Sequence, residues 1–232
     1  MSRHGYPLRL RWYGNNPATV EVTHQYGPVL LCSVVASGGL LVDQAMAAAL
    51  PAGSLSTMVF AGRFVGVVIT LVAGGVSSAF APYFSTKVAQ KDWAACRRSL
   101  RRGPLLTAAV TVPIAASMIV GVHVLVRVTL QHGVFGPRDT AAVAPVVAAF
   151  AIQIPFFAIS RIDYRFVLAM RRADLVLYCG ILNLILVGLL DLVLMRYPGV
   201  TGLALATSLW TVSTWAFLRI SARRLLADAE AA

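Results

Sequence analysis

The sequence predicts an all-α integral membrane protein, a six-transmembrane-helix bundle with both termini cytoplasmic. Three observations carry this. Hydrophobic residues make up 58% of the 232 positions and charged residues only 12%, about half the ~25% of a soluble domain. Mean hydropathy is +0.76, and six apolar stretches each reach the roughly 20 residues that a helix needs to cross a hydrocarbon core. Lys and Arg alternate in abundance from one connecting loop to the next, as topology signals do.

The elements follow in order. Residues 1–26 are polar, lack the apolar stretch of a signal peptide, and form a cytoplasmic amino-terminal segment. The spans cover about 27–50, 55–83, 104–128, 140–169, 174–195 and 200–220, and residues 221–232 form a cytoplasmic tail. Helices are required because backbone groups in lipid must pair within their own segment. The turn around Pro51-Ala-Gly53 joins the first two spans. Pro113 and Pro155 lie inside spans three and four, where a missing N–H bends the helix. Fourteen of the twenty Lys and Arg residues fall in the amino-terminal segment, the loop from Lys87 to Arg102, the Arg171-Arg172 turn and the positions after span six. Only Arg138 and Arg196 fall in the opposite loops, so that side is external.

The same clustering explains the net charge of +11 without nucleic acid as a partner. Cys32, Cys96 and Cys179 are far apart, and the four histidines have no zinc-ligand spacing. There is no nucleophile elbow, P-loop or dinucleotide fingerprint. The sequence therefore predicts no enzyme, no cofactor and no metal site.

Four arginines lie within or at the ends of spans: Arg63, Arg127, Arg161 and Arg165. A charge at such depth costs roughly 2.5–3.5 kcal/mol on insertion scales, so each needs a reason. Arg63, Gly66, Thr70, Gly74 and Ser77 recur at steps of three and four, which predicts one small, polar stripe along span two facing a bundle interior or a water-filled cavity. Gly62 and Gly66 beside it have the spacing of a helix-packing signal. Asp43 on span one shares a face with Ala36, Gly39 and Ala47. At 1.5 Å per residue, Asp43 and Arg63 both sit roughly 10–12 Å below the outer surface. Two readings stay open: a structural ion pair, or a cavity in which Arg63 binds an anionic substrate. Arg161 and Arg165 are four residues apart and share a face in the cytoplasmic half, so the pair can contact a phosphate or snorkel to the interface. His123 and Arg127 share a face at the outer end of span three, where snorkelling is the easier account. Asp191, near the outer end of span five, is a weaker candidate.

The stretch from "LLVDQAMAAALPAGSLSTMVFAGRF" to "APYFSTKVA" resembles the lipid II flippase family MurJ/MviN of the multidrug/oligosaccharidyl-lipid/polysaccharide exporter superfamily. The matching positions include Asp43, Gly53-Ser54, Arg63, Pro82 and Ser85. "HGVFGPRDT", "QIPFFAI" with "RFVLAM", and "GVTGLALATSL" extend the likeness over about residues 10–220. The resemblance implies the carboxy-terminal lobe of a two-lobe carrier, with a cationic central cavity and alternating access. It implies translocation of lipid II across the bacterial inner membrane for peptidoglycan synthesis. Arg63 then holds the lipid-linked diphosphate, Arg161 and Arg165 are further substrate contacts, and a second six-helix lobe or a homodimer partner completes the cavity. The alternatives are a polysaccharide or O-antigen-type lipid flippase, or a non-transporting membrane scaffold or truncated fragment lacking the amino-terminal lobe.

Overall fold

The computed structural model describes residues 37–130, 136–196 and 199–231. The amino-terminal segment, the start of span one with Cys32, His4, His24 and His132, and the start of the "HGVFGPRDT" match lie outside these residues. The described helices are α1 (37–48), α2 (Ser54–Ala89), α3 (Trp93–Val120), α4 (Val122–Leu130), α5 (Pro137–Ala151), α6 (Gln153–Ala169), α7 (Ala173–Leu194) and α8 (Val200–Ala231). Among the described residues, five helical segments are long and apolar enough to cross a membrane.

The turn expected between spans one and two is present. Gly53 sits at φ 93° at the start of α2, a conformation that L side chains rarely adopt, and Ser56 Oγ donates to its carbonyl at 2.8 Å. Span three divides into α3 and α4 at Gly121. The two prolines expected to bend helices behave differently. α3 runs on through Pro113, whereas span four divides into α5 and α6 three residues before Pro155. Ile152 at the division keeps helical dihedrals, φ −58° and ψ −33°, so the chain stays on its helical path there. Polar groups of α8 meet this division: Ser208 Oγ donates to the Ala149 carbonyl at 2.6 Å and Thr211 Oγ1 donates to Gln153 Oε1 at 3.2 Å. In an apolar setting such inter-helix bonds satisfy groups that water cannot reach.

Two apolar cores lie along the bundle. One joins Ala47, Met58, Ala61 and Val65 to Met118, Val126, the buried face of α5 and Leu203. The other, towards the basic α2–α3 loop, joins Phe84, Cys96 and Leu100 to Ile162, Phe166, Ala222 and Leu226. α6 is the shared wall, packing on α2, α3, α7 and α8. Gly103 lets α3 cross close to its neighbours, since a Cβ there would lie 3.0 Å from Phe80 and 3.3 Å from Ile162.

Charge fixes the end of the bundle that carries the basic loop between α2 and α3. Arg219 on α8 donates through Nη1 to Asp163 Oδ1 at 3.0 Å and to the Leu100 carbonyl at 2.8 Å. One side chain thereby ties α8, α6 and α3, and the Asp163 side chain is fully buried. Arg97 at the start of α3 pairs with Glu230 near the end of α8. Asp92 caps α3 by accepting from the Ala95 N–H at 3.1 Å and pairs with Lys87 at 3.1 Å. The Ala95 N–H, followed by the Lys87 ammonium, holds the Asp92 carboxyl below its ordinary range.

Breaking one partner of the buried pair leaves an uncompensated charge. Arg219→Met is expected to cost roughly 3–5 kcal/mol, measured by unfolding in detergent, and Asp163→Asn added to it is expected to recover much of the loss. At Asp92 the folded form favours the carboxylate, so its contribution is present above the unfolded pKa of about 4 and fades as pH falls through the lower folded value. Melting temperatures of wild type and Asp92→Asn should converge on acidification below about pH 4.

Candidate functional site

A cavity of about 500 Å³ is bounded by α1, α2, α5, α7 and α8. Its lining includes Gly39, Asp43, Gln44, Met58, Gly62, Arg63, Phe150, Asn183, Thr207 and Trp210. α1 reaches α7 closely here, where a Cβ on Gly38 would lie 3.4 Å from Leu184. Arg63, one turn below Val59 on α2, is exposed at the cavity's edge, while Asp43 is only 7% exposed.

Asp43 and Arg63 therefore share a cavity, but no N–O separation of 4 Å or less joins them, among the described residues. The expected direct ion pair is not formed. Asp43 faces Asp191 of α7 instead, with the two carboxyl groups at hydrogen-bonding range. Asp191 is fully buried. Both of its oxygens, and Asp43 Oδ1, lack an ordinary donor. Two carboxylates so placed repel unless a positive charge, a shared proton or a small cation, lies between them. Asp191, only a weaker candidate from the sequence, is thus the group that meets Asp43. The available signal was spacing: Asn183, Val187 and Asp191 recur at steps of four on one face of an otherwise apolar helix. Asn183 Oδ1 and Trp210 Nε1 also lack partners among the described residues, so the wall between α1, α7 and α8 carries unused acceptors and a donor. Groups of three or more His, Cys, Asp or Glu able to hold a metal are absent among the described residues.

The α2 stripe is open rather than enclosed. Arg63, Thr70 and Gly74 are exposed, and Gly66 and Ser77 are half-buried. A Cβ built on Gly62, Gly66 or Gly74 would meet nothing within 4 Å. The Gly62–Gly66 spacing thus packs against no helix among the described residues; of the two faces expected, bundle interior or cavity, the interior one is not formed, and Gly62 and Arg63 line the cavity. Thr70 Oγ1 spends its proton on the Gly66 carbonyl at 2.8 Å.

Arg161 and Arg165 lie elsewhere, on the second half of α6, and do not line this cavity. The Arg161 guanidinium stands 4.3 Å from the Phe157 ring centroid, and Arg165 lies 5.8 Å from that of Tyr164. Arg127 and His123 on α4 are both exposed.

The family model for the lipid II flippase MurJ matches residues 1–231. A probable lipid II flippase MurJ of Synechocystis sp. is 27% identical over 206 residues, 86% of this chain and 37% of that protein. Among solved structures, a lipid II flippase MurJ in an inward closed conformation superposes with a TM-score of 0.78 at 21% identity, covering 92% of this chain and 45% of that one. A Vibrio cholerae MATE transporter in a bent form gives a TM-score of 0.77 at 12% identity, covering 94% of this chain and 49% of its own. The chain thus spans between about a third and a half of the length of the proteins it matches.

A double-mutant cycle tests the carboxyl pair. Asp43→Asn and Asp191→Asn each remove the repulsion, so their effects on unfolding in detergent should be non-additive by about 0.5–3 kcal/mol. Strict additivity would mean that the two groups do not meet.

Proposed function

The chain belongs to the MurJ family of lipid II flippases, and from that premise we propose that it is one lobe of a two-lobe carrier that moves a lipid-linked anionic diphosphate between leaflets. Family and apolar helices together make it a multi-pass inner-membrane protein, and the family is one of flippases, not enzymes. Lipid II is the substrate we favour, with both termini on the cytoplasmic side as the Lys and Arg asymmetry indicates.

One observation supports this reading above the others: Arg63 stands on an open face, at the edge of a 500 Å³ cavity, without a carboxylate partner among the described residues. An exposed arginine at the depth of an apolar span is costly unless it meets water or an anion, and its planar fork suits phosphate oxygens. The small residues along the same face leave room for a second six-helix lobe, or a second copy of this chain, to close the cavity from the other side. In the proposed cycle the two lobes rock about the headgroup and expose it to one side at a time, while the lipid tail stays in the bilayer. A second reading, a lobe handling a different polysaccharide-carrier lipid, draws support from the equally close superposition on a MATE transporter, since one lobe architecture serves different cargo.

Arg63→Ala separates a binding role from a packing role. Loss of charge-assisted hydrogen bonds of ~1.5–3 kcal/mol predicts roughly 10- to 100-fold weaker substrate handling, read in a lipid-flipping assay with the partner lobe co-expressed. Full activity in this variant would remove Arg63 from the substrate's path.

A further inference from the structure

The second half of α6 carries cations that the cavity around Arg63 does not use. Ile162, Asp163, Phe166 and Val167 are buried, whereas Phe157, Arg161, Tyr164, Arg165 and Leu168 are only half-buried. These five recur at helical steps and so form one open face. Phe150, eleven residues before Arg161 and therefore three turns above it, lines the Arg63 cavity. Because Ile152 keeps helical dihedrals, the face carries through the α5–α6 division. Gln153 and Ile154, which lie on that face between Phe150 and Phe157, are buried, so the open part of the face begins below the cavity and is separated from it.

Distance separates the two cationic places. The Phe84 and Phe166 rings meet at 5.4 Å, which sets α2 and α6 level there. Arg63 lies 21 residues above Phe84 and Arg161 five above Phe166, so at 1.5 Å per residue they are about 24 Å apart along the bundle. That gap is far wider than any diphosphate.

The chemistry of the lower place suits an anion. Stacking on Phe157 covers one flat side of the Arg161 guanidinium and leaves its N–H edges free for bidentate contacts. Arg165 is four residues on, so the two like charges share one patch of surface and repel. Arg165 Nε is buried without a hydrogen-bond partner, and no carboxylate pairs with either arginine among the described residues. An anion between them would relieve the repulsion and satisfy the buried donor together.

We infer that Arg161 and Arg165 form a second phosphate-binding place on the open face of α6, separate from the cavity edged by Arg63, so that an anionic headgroup is taken up at one and passed to the other. The inference deepens the carrier reading and rests on it for direction, but the binding itself can be tested apart from transport. The ligand chemistry is a diphosphate, free or attached to a lipid.

The test is calorimetric titration of the purified full chain in phosphatidylcholine nanodiscs, with farnesyl diphosphate in one arm and inorganic pyrophosphate in the other. Wild type is expected to bind two equivalents. Arg63→Gln should lose one of them, and the double variant Arg161→Gln/Arg165→Gln the other. Arg161→Lys/Arg165→Lys keeps the charge without the fork, and should keep the lower site with affinity weakened roughly tenfold. It also serves where the glutamine variant does not run as wild type on size exclusion. Pyrophosphate filling the lower place supports a free headgroup as sufficient ligand, and binding of farnesyl diphosphate alone supports the lipid-linked form. Two equivalents retained by the α6 glutamine variant would overturn the inference and leave the Arg63 reading intact. A single equivalent abolished by either change would overturn it as well, in favour of one composite site. Loss of one equivalent in the α6 variant with none in Arg63→Gln would keep the lower place and overturn the role of Arg63.

Discussion

The ion pair between Asp163 and Arg219 is the interaction on which the rest of the lobe leans. Asp163 sits fully buried on α6, the helix that packs on four others, and Arg219 joins it to α8 while also holding the Leu100 carbonyl of α3. Taking two charges out of water is expensive, and such a pair persists only where its geometry and additional hydrogen bonds are good. Here the extra bond to Leu100 recruits a third helix. With α3, α6 and α8 tied together below, the core of Phe84, Ile162 and Phe166 closes around them, and the other half can remain open enough to hold a cavity.

The same electrostatic rule sorts the other ionisable groups of the apolar region. Asp163 and Arg219 are paired in the interior. Asp43 and Asp191 are a like-charged pair, stable only with positive charge between them. Arg63, Arg161 and Arg165 have no carboxylate within reach among the described residues, and all three lie on faces that the chain's own helices leave uncovered. Unpaired cations on an uncovered face are what a lobe would present to a partner and to an anion. A self-contained bundle would have turned them inward onto acids or outward to the interface.

Much of this was legible in the residues. Apolar length marked the helices, Gly53 marked the first turn, and the three- and four-residue recurrence around Arg63 marked one face that the described helices leave open. The motif likeness pointed to the family that the comparison bears out. What the residues hid were the neighbours. Helical periodicity reports which residues share a face but not which helix stands opposite. Asp43 and Arg63 have matching depth and opposite charge, yet the carboxyl facing Asp43 belongs to Asp191, 148 positions further along the chain. Gly62 and Gly66 have packing spacing but no helix packed on them. Proline was an equally partial guide, since α3 absorbs Pro113, and the division between α5 and α6 falls three residues before Pro155, where α8 supplies Ser208 and Thr211.

The sequence by itself determined that this chain crosses a membrane as a helical bundle and which buried charges had to be explained. Those are consequences of solvation and periodicity, and both are local properties of a chain. Only the tertiary structure decided which charges meet, which face is left open, and that the arginines of α2 and α6 lie at two separate places along the bundle. Such facts depend on how helices distant in sequence stack, and Coulomb's law acts on the distances that result.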